Sequence, residues 1–373
     1  MLKFIEIFII TALITSLHSK EVSQAYSLVS DKKFHLYMSP LGKDNNSGTS
    51  KKSALKTLQR VHDIIEDKLK DNHRNVIVHI GKGIYEAQKV KWRFTMPKHS
   101  IMLKGEKNTI PVFDGNGTAY AWLRMTYHKG SNQSNLHIDG LQIQHYARAI
   151  LFMGDKNDWH KDVSRNVVKN CIFYNLGDKY SSAPVGYAAI SLVNSRHNVF
   201  KNNSFINIIN NKTKCKKSGK CFSTDTLIHA IYMSYYSSYN IIRNSLFENI
   251  SGDAIRVRDY CNNNTIEDNV FKKVRRVYQD WYNSYKNIKN EDHVECYSWG
   301  NSVKDNKIGS QFYSNKNAPL LDVKTKFYKK SGQKNYCKKN VYEQYNIRPY
   351  PIGNTKDSIF RVIEFNNRWF ERL

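Results

Sequence analysis

The sequence predicts an all-β fold in which short strands coil into a solenoid, with a helix covering its N-terminal end. The first observation is an echo of 24 residues: Ile231 corresponds to Ile255, and Asn240 corresponds to Asn264. The second is that each unit holds two short runs with alternating polar and apolar residues, the period of a strand with one buried face. Such units bury their apolar faces only against their neighbours, so we expect one elongated domain over residues 34–320.

Weaker copies of this unit occur on both sides of it. The Ala-Ile step at 230–231 recurs at 149–150 and 189–190, and Asn-rich turns recur at 166–173, 198–205 and 301–306, with spacings that widen to roughly 32 to 42 residues. We interpret the wider spacings as one coil plus an inserted loop. The N-x-[IV]-x-x-N-x-[FI] turns resemble those of the single-stranded right-handed parallel β-helix proteins of the pectate-lyase-like superfamily. A β-sandwich or propeller with coincidental Asn turns is the alternative.

The segment after residue 33 predicts how the solenoid begins. Residues 34–38 read as a strand, residues 39–49 (SP-x-G-x-D-x-x-S-G-T) as a turn-rich loop, and apolar residues from Leu55 to Leu69 are spaced by three and four, as in an amphipathic helix. This opening resembles the N-terminal end of many secreted β-helix carbohydrate-active proteins. We expect the helix to cover the open apolar end of the first coil.

Residues 1–25 predict a secretory signal with cleavage near residues 19–25, because a short apolar run follows Lys3 and small residues follow the run. A retained N-terminal anchor is the alternative. We find no other apolar run long enough to cross a bilayer, so the resemblance and the signal together imply a secreted protein, extracellular or periplasmic.

Six cysteines in an exported chain make disulfide pairing plausible. We favour a pair between Cys215 and Cys221, which would close a short basic loop; the pairing of the other four cannot be deduced. A zinc site is disfavoured because the sequence has no C-x-x-C pair and no His at ligand spacing.

The formal net charge of +26 favours a polyanionic partner. Nucleic acid, anionic lipid and acidic polysaccharide compete for that role. We favour acidic polysaccharide and expect no nucleic acid, because the sequence predicts an exported β-helix without a nucleic-acid-binding motif. A charge that merely keeps the chain soluble is the alternative. Residues 321–373 show no repeat and predict a basic C-terminal segment and cap; we expect a monomer.

The 24-residue register places a set of polar side chains on one patch of the outer face. If Ile231 and Ile255 point into the core, the residues next to them along each strand point outward. The turn residue before one strand then stacks on the turn residue before the next strand. The residues that converge in this way are Tyr232, Ser234, Arg256, Arg258, His229 and Asp253.

This patch fits β-elimination of a uronate polysaccharide, which needs a neutralised carboxylate, a base and a proton donor. Arg256 and Arg258 suit the carboxylate. His229, oriented by Asp253, suits proton removal, and Tyr232 could protonate the leaving oxygen. Lyases of the superfamily that the chain resembles more often use Lys or Arg as the base. The Asp-Pro-His-Asp signature of the related mannuronan epimerases is absent.

Further residues are expected to bind the substrate. We assign this role to Asp259 and Ser234 near the patch, and to Tyr278, Trp281 and Tyr282 on a predicted long loop over residues 274–295. Calcium is possible but undecided, because the sequence has no calcium-loop motif.

Three functions compete: a polysaccharide lyase, a glycoside hydrolase that would use Asp253 and Asp259, and a non-catalytic polyanion-binding protein. The patch could also be a self-satisfied ladder of ion pairs.

Overall fold

Parallel strands are the main element of the protein. The computed structural model describes residues 33–106, 108, 110–281, 295, 298, 300–309, 321–323, 362–365 and 368–370. Within these residues, ten strands pair in parallel to form a first sheet. They are β1 (Phe34–Met38), β2 (Val76–Ile80), β5 (Ile101–Gly105), β7 (Leu136–Asp139), β9 (Val167–Lys169), β12 (Val199–Lys201), β17 (Ile241–Arg243), β19 (Thr265–Glu267), β21 (Asn301–Lys304) and β24 (Val362–Phe365).

A second parallel sheet contains thirteen strands of the described chain. They are β3 (Ile84–Glu86), β4 (Val90–Trp92), β6 (Val112–Thr126), β8 (Gln142–Met153), β10 (Ile172–Leu176), β11 (Ala188–Val193), β13 (Ser204–Ile208), β16 (His229–Ser234), β18 (Leu246–Arg258), β20 (Val270–Asp280), β22 (Lys307–Gly309), β23 (Leu321–Val323) and β25 (Arg368–Phe370). The chain alternates between the two sheets and adds a rung at each pass. This confirms the predicted parallel β-helix.

The register of the 24-residue echo is also confirmed. Ile231 pairs with Ile255 on adjacent parallel strands of the second sheet. In the first sheet, Ile241 pairs with Thr265, with the same offset of 24 residues. Inside the coils, four phenylalanines at equivalent positions stack with ring centroids 4.8 Å apart at each step; they are Phe173, Phe205, Phe247 and Phe271. This spacing equals the distance between neighbouring strands, so the repeat itself aligns the rings.

A buried column of asparagines explains the Asn-rich turns. Asn198 donates through Nδ2 to Oδ1 of Asn240 at 2.8 Å, and Asn240 donates in the same way to Asn264 at 3.0 Å. Asn166 and Asn301 extend the column by one residue at each end. Because each Oδ1 also accepts the backbone N–H of the preceding member, the amides satisfy turn groups that the strands leave unpaired.

The helix α1 (Leu58–Leu69) lies where the sequence predicts one. Its N-cap is Thr57, whose hydroxyl accepts from the backbone N–H of Arg60, and Asp44 accepts from the Thr57 hydroxyl at 2.7 Å. Its buried side chains, Leu58, Val61, Ile65 and Leu69 among them, belong to the same hydrophobic core as the first strands. Among the described residues, no helix is long and apolar enough to cross a membrane.

Two segments differ from the sequence prediction. The expected loop over residues 274–295 begins later, because β20 continues to Asp280 with Val274, Val277 and Tyr278 in the core. The coil pairing also passes the predicted boundary at residue 320: β23 pairs with β20, β24 with β21, and β25 with β22.

A small antiparallel hairpin projects between β13 and β16. It consists of β14 (Thr213–Cys215) and β15 (Cys221–Ser223). The predicted disulfide between Cys215 and Cys221 closes it, and this confirms that pairing. Cys171 and Cys261 are buried free thiols, whereas Cys296 and Cys337 lie outside the described residues.

Candidate functional site

The site residues lie on three neighbouring strands of the second sheet, β16, β18 and β20. His229 at the start of β16 pairs in register with Asp253 of β18, which pairs with Arg276 of β20. Further along the same strands, Tyr232 pairs with Arg256. Neighbouring rungs lie about 4.8 Å apart, so side chains from three coils reach one another.

Asp253 is the centre of the cluster, and its side chain is fully buried. Its Oδ1 lies 3.1 Å from Nη1 of Arg275 and 3.6 Å from Nη1 of Arg276. Its Oδ2 lies 3.6 Å from Nη1 of Arg256 and 3.4 Å from Nδ1 of His229. Three guanidinium groups therefore share one carboxylate.

Burial sets the protonation state of the histidine. His229 is 4% exposed, and this burial, followed by the positive charge of Arg256, lowers the pKa of His229 well below 6.5. The imidazole is therefore neutral at neutral pH, and Asp253 together with Arg256, Arg275 and Arg276 has two more positive than negative charges. Burial also lowers the pKa of Arg256, while Asp253 acts in the opposite direction; a guanidinium stays charged under all ordinary conditions.

A second ion pair completes the patch. Nε of Arg258 donates to Oε2 of Glu295 at 2.8 Å, and Nη2 donates to Oε1 of the same carboxylate. Burial by itself would lower the pKa of Arg258. The bidentate bond to Glu295 and the Tyr232 hydroxyl outweigh burial, so the pKa of Arg258 is raised. The ring of Trp281 lies under both arginines, with its centroid 5.2 Å from Cζ of Arg256 and 4.6 Å from Cζ of Arg258.

The predicted catalytic residues therefore come together: His229, Tyr232, Asp253, Arg256 and Arg258. Among the predicted substrate-binding residues, Trp281 joins them through its contacts with the arginines.

Three other residues assigned to substrate binding have buried side chains. Tyr278 is 0% exposed because it occupies a core position of β20, in register with Ile255. Asp259 is buried at the turn after β18, where its backbone carbonyl accepts from Tyr236. Ser234 is buried, and its hydroxyl donates to the carbonyl of Leu192. Tyr282 lies outside the described residues.

The sequence did not predict three members of the patch, Arg275, Arg276 and Glu295. The coil register from Phe247–Phe271 would place Val277 beside Asp253, but one irregularity in pairing between Ile250 and Asp253 places Arg276 there instead, so the repeat gave no signal for the two arginines. Glu295 carried no signal either, because it belongs to a segment without a repeat.

The cluster does not suit a metal ion. The carboxylate of Asp253 is occupied by guanidinium groups, and within the described part of the chain no group of three or more His, Cys, Asp or Glu could hold one. The patch instead offers positive charge and planar donors, which suit an anionic ligand.

Several solved structures are similar to this chain. A pectate lyase is 12% identical over 79% of this chain and 68% of its own, with a TM-score of 0.38. An alginate lyase from a Paenibacillus species is 12% identical over 70% of this chain and 97% of its own, with a TM-score of 0.39. A lacto-N-biosidase from Eubacterium ramulus is 10% identical over 82% of this chain and 59% of its own, with a TM-score of 0.43. No protein-family model matches the sequence, and no curated protein matches it. Similarities at this level carry no argument about what this chain binds or cleaves.

Proposed function

We propose that the protein binds an acidic, uronate-containing polysaccharide and cleaves it by β-elimination. One observation carries the proposal: Arg256, Arg275 and Arg276 converge on the single carboxylate of Asp253 in a partly exposed patch, so these four side chains together have a positive surplus. A substrate carboxylate would be attracted to this surplus. A guanidinium group suits that role because its planar fork can bind both carboxylate oxygens.

The neighbouring groups supply the remaining steps of an elimination. Binding of the uronate carboxylate by Arg256 would make the adjacent C5 proton more acidic. His229 is neutral at neutral pH and can accept that proton; because its Nδ1 lies against Asp253, Nε2 is the nitrogen that we assign to the transfer. The hydroxyl of Tyr232 would protonate the leaving O4, and Trp281 would support the two arginines from below.

A glycoside hydrolase that uses Asp253 and Asp259 is disfavoured by their surroundings. Hydrolysis needs two carboxyl groups that face the scissile bond. Both side chains are fully buried, and Asp253 is held by three arginines. Non-catalytic binding is the competing function, since the same positive surplus would hold a polyanion without turning it over.

A substrate panel with two readouts tests the proposal. The purified full chain is incubated with polygalacturonate, alginate and hyaluronan, each with calcium or with a chelator, and with neutral dextran as the control. Elimination raises the ultraviolet absorbance, because it creates a conjugated, unsaturated uronate. New reducing ends without absorbance would indicate hydrolysis instead. Retention on an immobilised uronate polymer with neither signal would overturn the elimination and leave binding alone.

The finer expectations from the sequence belong to the same proposal. We propose that residues 1–25 direct export, that the protein is an extracellular or periplasmic monomer, and that the coil is right-handed with α1 covering its first turn. The disulfide between Cys215 and Cys221 supports an oxidising compartment. N-terminal sequencing of protein recovered from a secreting host tests the export, and size-exclusion chromatography with light scattering tests the monomer.

A further inference from the structure

A column of charged side chains runs along the outer face of the first sheet. Its members occupy equivalent positions on seven successive strands and alternate with core residues such as Phe200 and Ile242. We call it the charged column; its members are Lys104, Asp139, Lys169, Lys201, Arg243, Glu267 and Lys304. Five are cations and two are carboxylates, so the column has a surplus of three positive charges.

Each of the two carboxylates forms an ion pair with a lysine near one end of the column. Asp139 lies 3.3 Å from Nζ of Lys169, and Glu267 lies 3.1 Å from Nζ of Lys304. Lys201 and Arg243 are direct neighbours in register, and Glu267 is the in-register neighbour of Arg243 on its other side. Neither forms an ion pair with any residue that the structure describes, and Nε of Arg243 is buried without a hydrogen-bond partner.

Two adjacent cations on neighbouring strands repel each other. The strands lie about 4.8 Å apart, and like charges directly opposite one another destabilise a sheet. Both side chains are partly buried, which weakens screening by solvent. Burial, and after it the charges of Lys169 and Arg243, lowers the pKa of Lys201. The fold therefore holds two adjacent cations, neither of them in an ion pair with a described residue, at a fixed separation.

We propose that Lys201 and Arg243 form a binding site for one divalent tetrahedral oxyanion, a sulfate or phosphate group, that bridges the two side chains. Two positive charges match the two negative charges of such a group, whereas a carboxylate would neutralise only one of them. The separation of the strands lets one group about 3 Å from each cation contact both. The guanidinium contributes a planar fork of donors and the ammonium a compact charge. The site lies on a different sheet from Asp253 and does not depend on the elimination chemistry.

Calorimetric titration tests the site. Sodium sulfate and sodium phosphate are added to the full-length protein at constant ionic strength, with sodium chloride as the balance. Lys201→Gln and Arg243→Gln should each weaken binding at least tenfold. Lys104→Gln, which removes the same charge from the end of the column, should bind as the wild type does. Lys201→Arg keeps the positive charge and should retain binding. Weak binding by Lys201→Gln would then be due to the lost charge and not to misfolding.

Binding of a sulfated polysaccharide is then compared with binding of the same polysaccharide after desulfation. This comparison shows whether the site takes a free anion or a sulfate group carried by a polymer. Binding of the sulfated polymer alone, lost in Lys201→Gln, would assign the group to a polysaccharide and support the site. Equal binding of sulfate by the wild type, Lys201→Gln and Arg243→Gln, or no binding of any probe, would overturn it.

A charge reversal supplies an independent check. Lys201→Glu would place a carboxylate between Lys169 and Arg243 and complete the alternation of charge. Without sulfate, this variant should melt at a higher temperature than the wild type, and it should not respond to sulfate. A lower melting temperature would contradict the cation repulsion on which the proposal depends.

Discussion

At the scale of single residues, the position of Asp253 decides both stability and chemistry. Its carboxylate is the shared counter-charge of Arg256, Arg275 and Arg276. Asp253→Asn would remove the counter-charge that these three mostly buried guanidinium groups share, so we expect a loss of about 3–5 kcal/mol in the free energy of unfolding. Urea denaturation measures it. Asp305→Asn, at an exposed turn position with positive φ that Asn tolerates, should change stability by under about 0.5 kcal/mol. Equal effects of the two substitutions would refute a central role for Asp253.

Replacing Arg256 should reduce activity far more than stability. In Arg256→Ala, Asp253 keeps Arg275 and Arg276, so we expect only about 1 kcal/mol of destabilisation, mainly from lost packing on Trp281. Turnover on a uronate polymer should fall on the order of 10² to 10³, the scale of losing one preorganised charge-stabilising group. Initial rates and melting curves on the same preparation measure both. If the patch were only a ladder of ion pairs, activity would persist while the melting temperature fell.

Buried histidines predict acid sensitivity. Burial lowers the pKa of His137 to about 4, and His229 shifts in the same direction. Below pH 6.5 these histidines bind protons in the unfolded chain but not in the folded chain. Their contribution to the free energy of unfolding is therefore fully present above pH 6.5 and is lost as the pH falls toward 4. For His137 alone, the full effect is about 3 kcal/mol.

Urea midpoints between pH 7 and pH 4 test this. His137→Gln should flatten the decline, whereas replacement of the exposed His73 by Gln should leave it unchanged. A decline equally steep in His137→Gln would show that other groups cause it.

At the scale of elements, the asparagine column ties the turns together. Asn240→Ala removes the acceptor for the backbone N–H and Nδ2 of Asn198, and the donor to Asn264 and to the carbonyl of Ser195. Each buried polar group left unsatisfied costs about 1–3 kcal/mol, so we expect a total loss of at least about 3 kcal/mol. Chemical denaturation measures this loss. Asn244→Gly, at an exposed turn position with positive φ, should cost under about 1 kcal/mol.

The same elements show what the sequence could predict. Strand pairing followed from the repeat because an apolar position recurs once per coil, as in Ile231 and Ile255, and stacking then fixes the register. The end of β20 could not be predicted in this way, since Tyr278 fills a position that Ile occupies in the preceding coil. The arginine cluster could not be predicted from the repeat, because one pairing irregularity between Ile250 and Asp253 changes the register there. Glu295 reaches Arg258 from a non-repeating segment, and no local pattern predicts such a contact.

At the scale of the whole molecule, the net charge of +26 predicts long-range attraction to polyanions. Salt should weaken this attraction steeply, because the Debye length is only about 8 Å at physiological ionic strength. Elution from alginate and heparin columns over a salt gradient measures it. A lysozyme-sized basic protein of lower charge serves as a control and should elute earlier. Retention that did not change with salt would contradict an electrostatic origin.

Cys171 and Cys261 provide two built-in probes of how the solenoid opens. Both thiols are buried, and burial raises the pKa of Cys171 to about 12 and that of Cys261 well above its usual value. Only a thiolate reacts rapidly with an alkylating reagent, so each cysteine can be labelled only when its own coil opens. Peptide mapping after timed alkylation would separate these two sites from Cys296 and Cys337. Equal labelling rates would mean that the coils open as one cooperative unit, and unequal rates would measure how far opening at one coil is independent of the other.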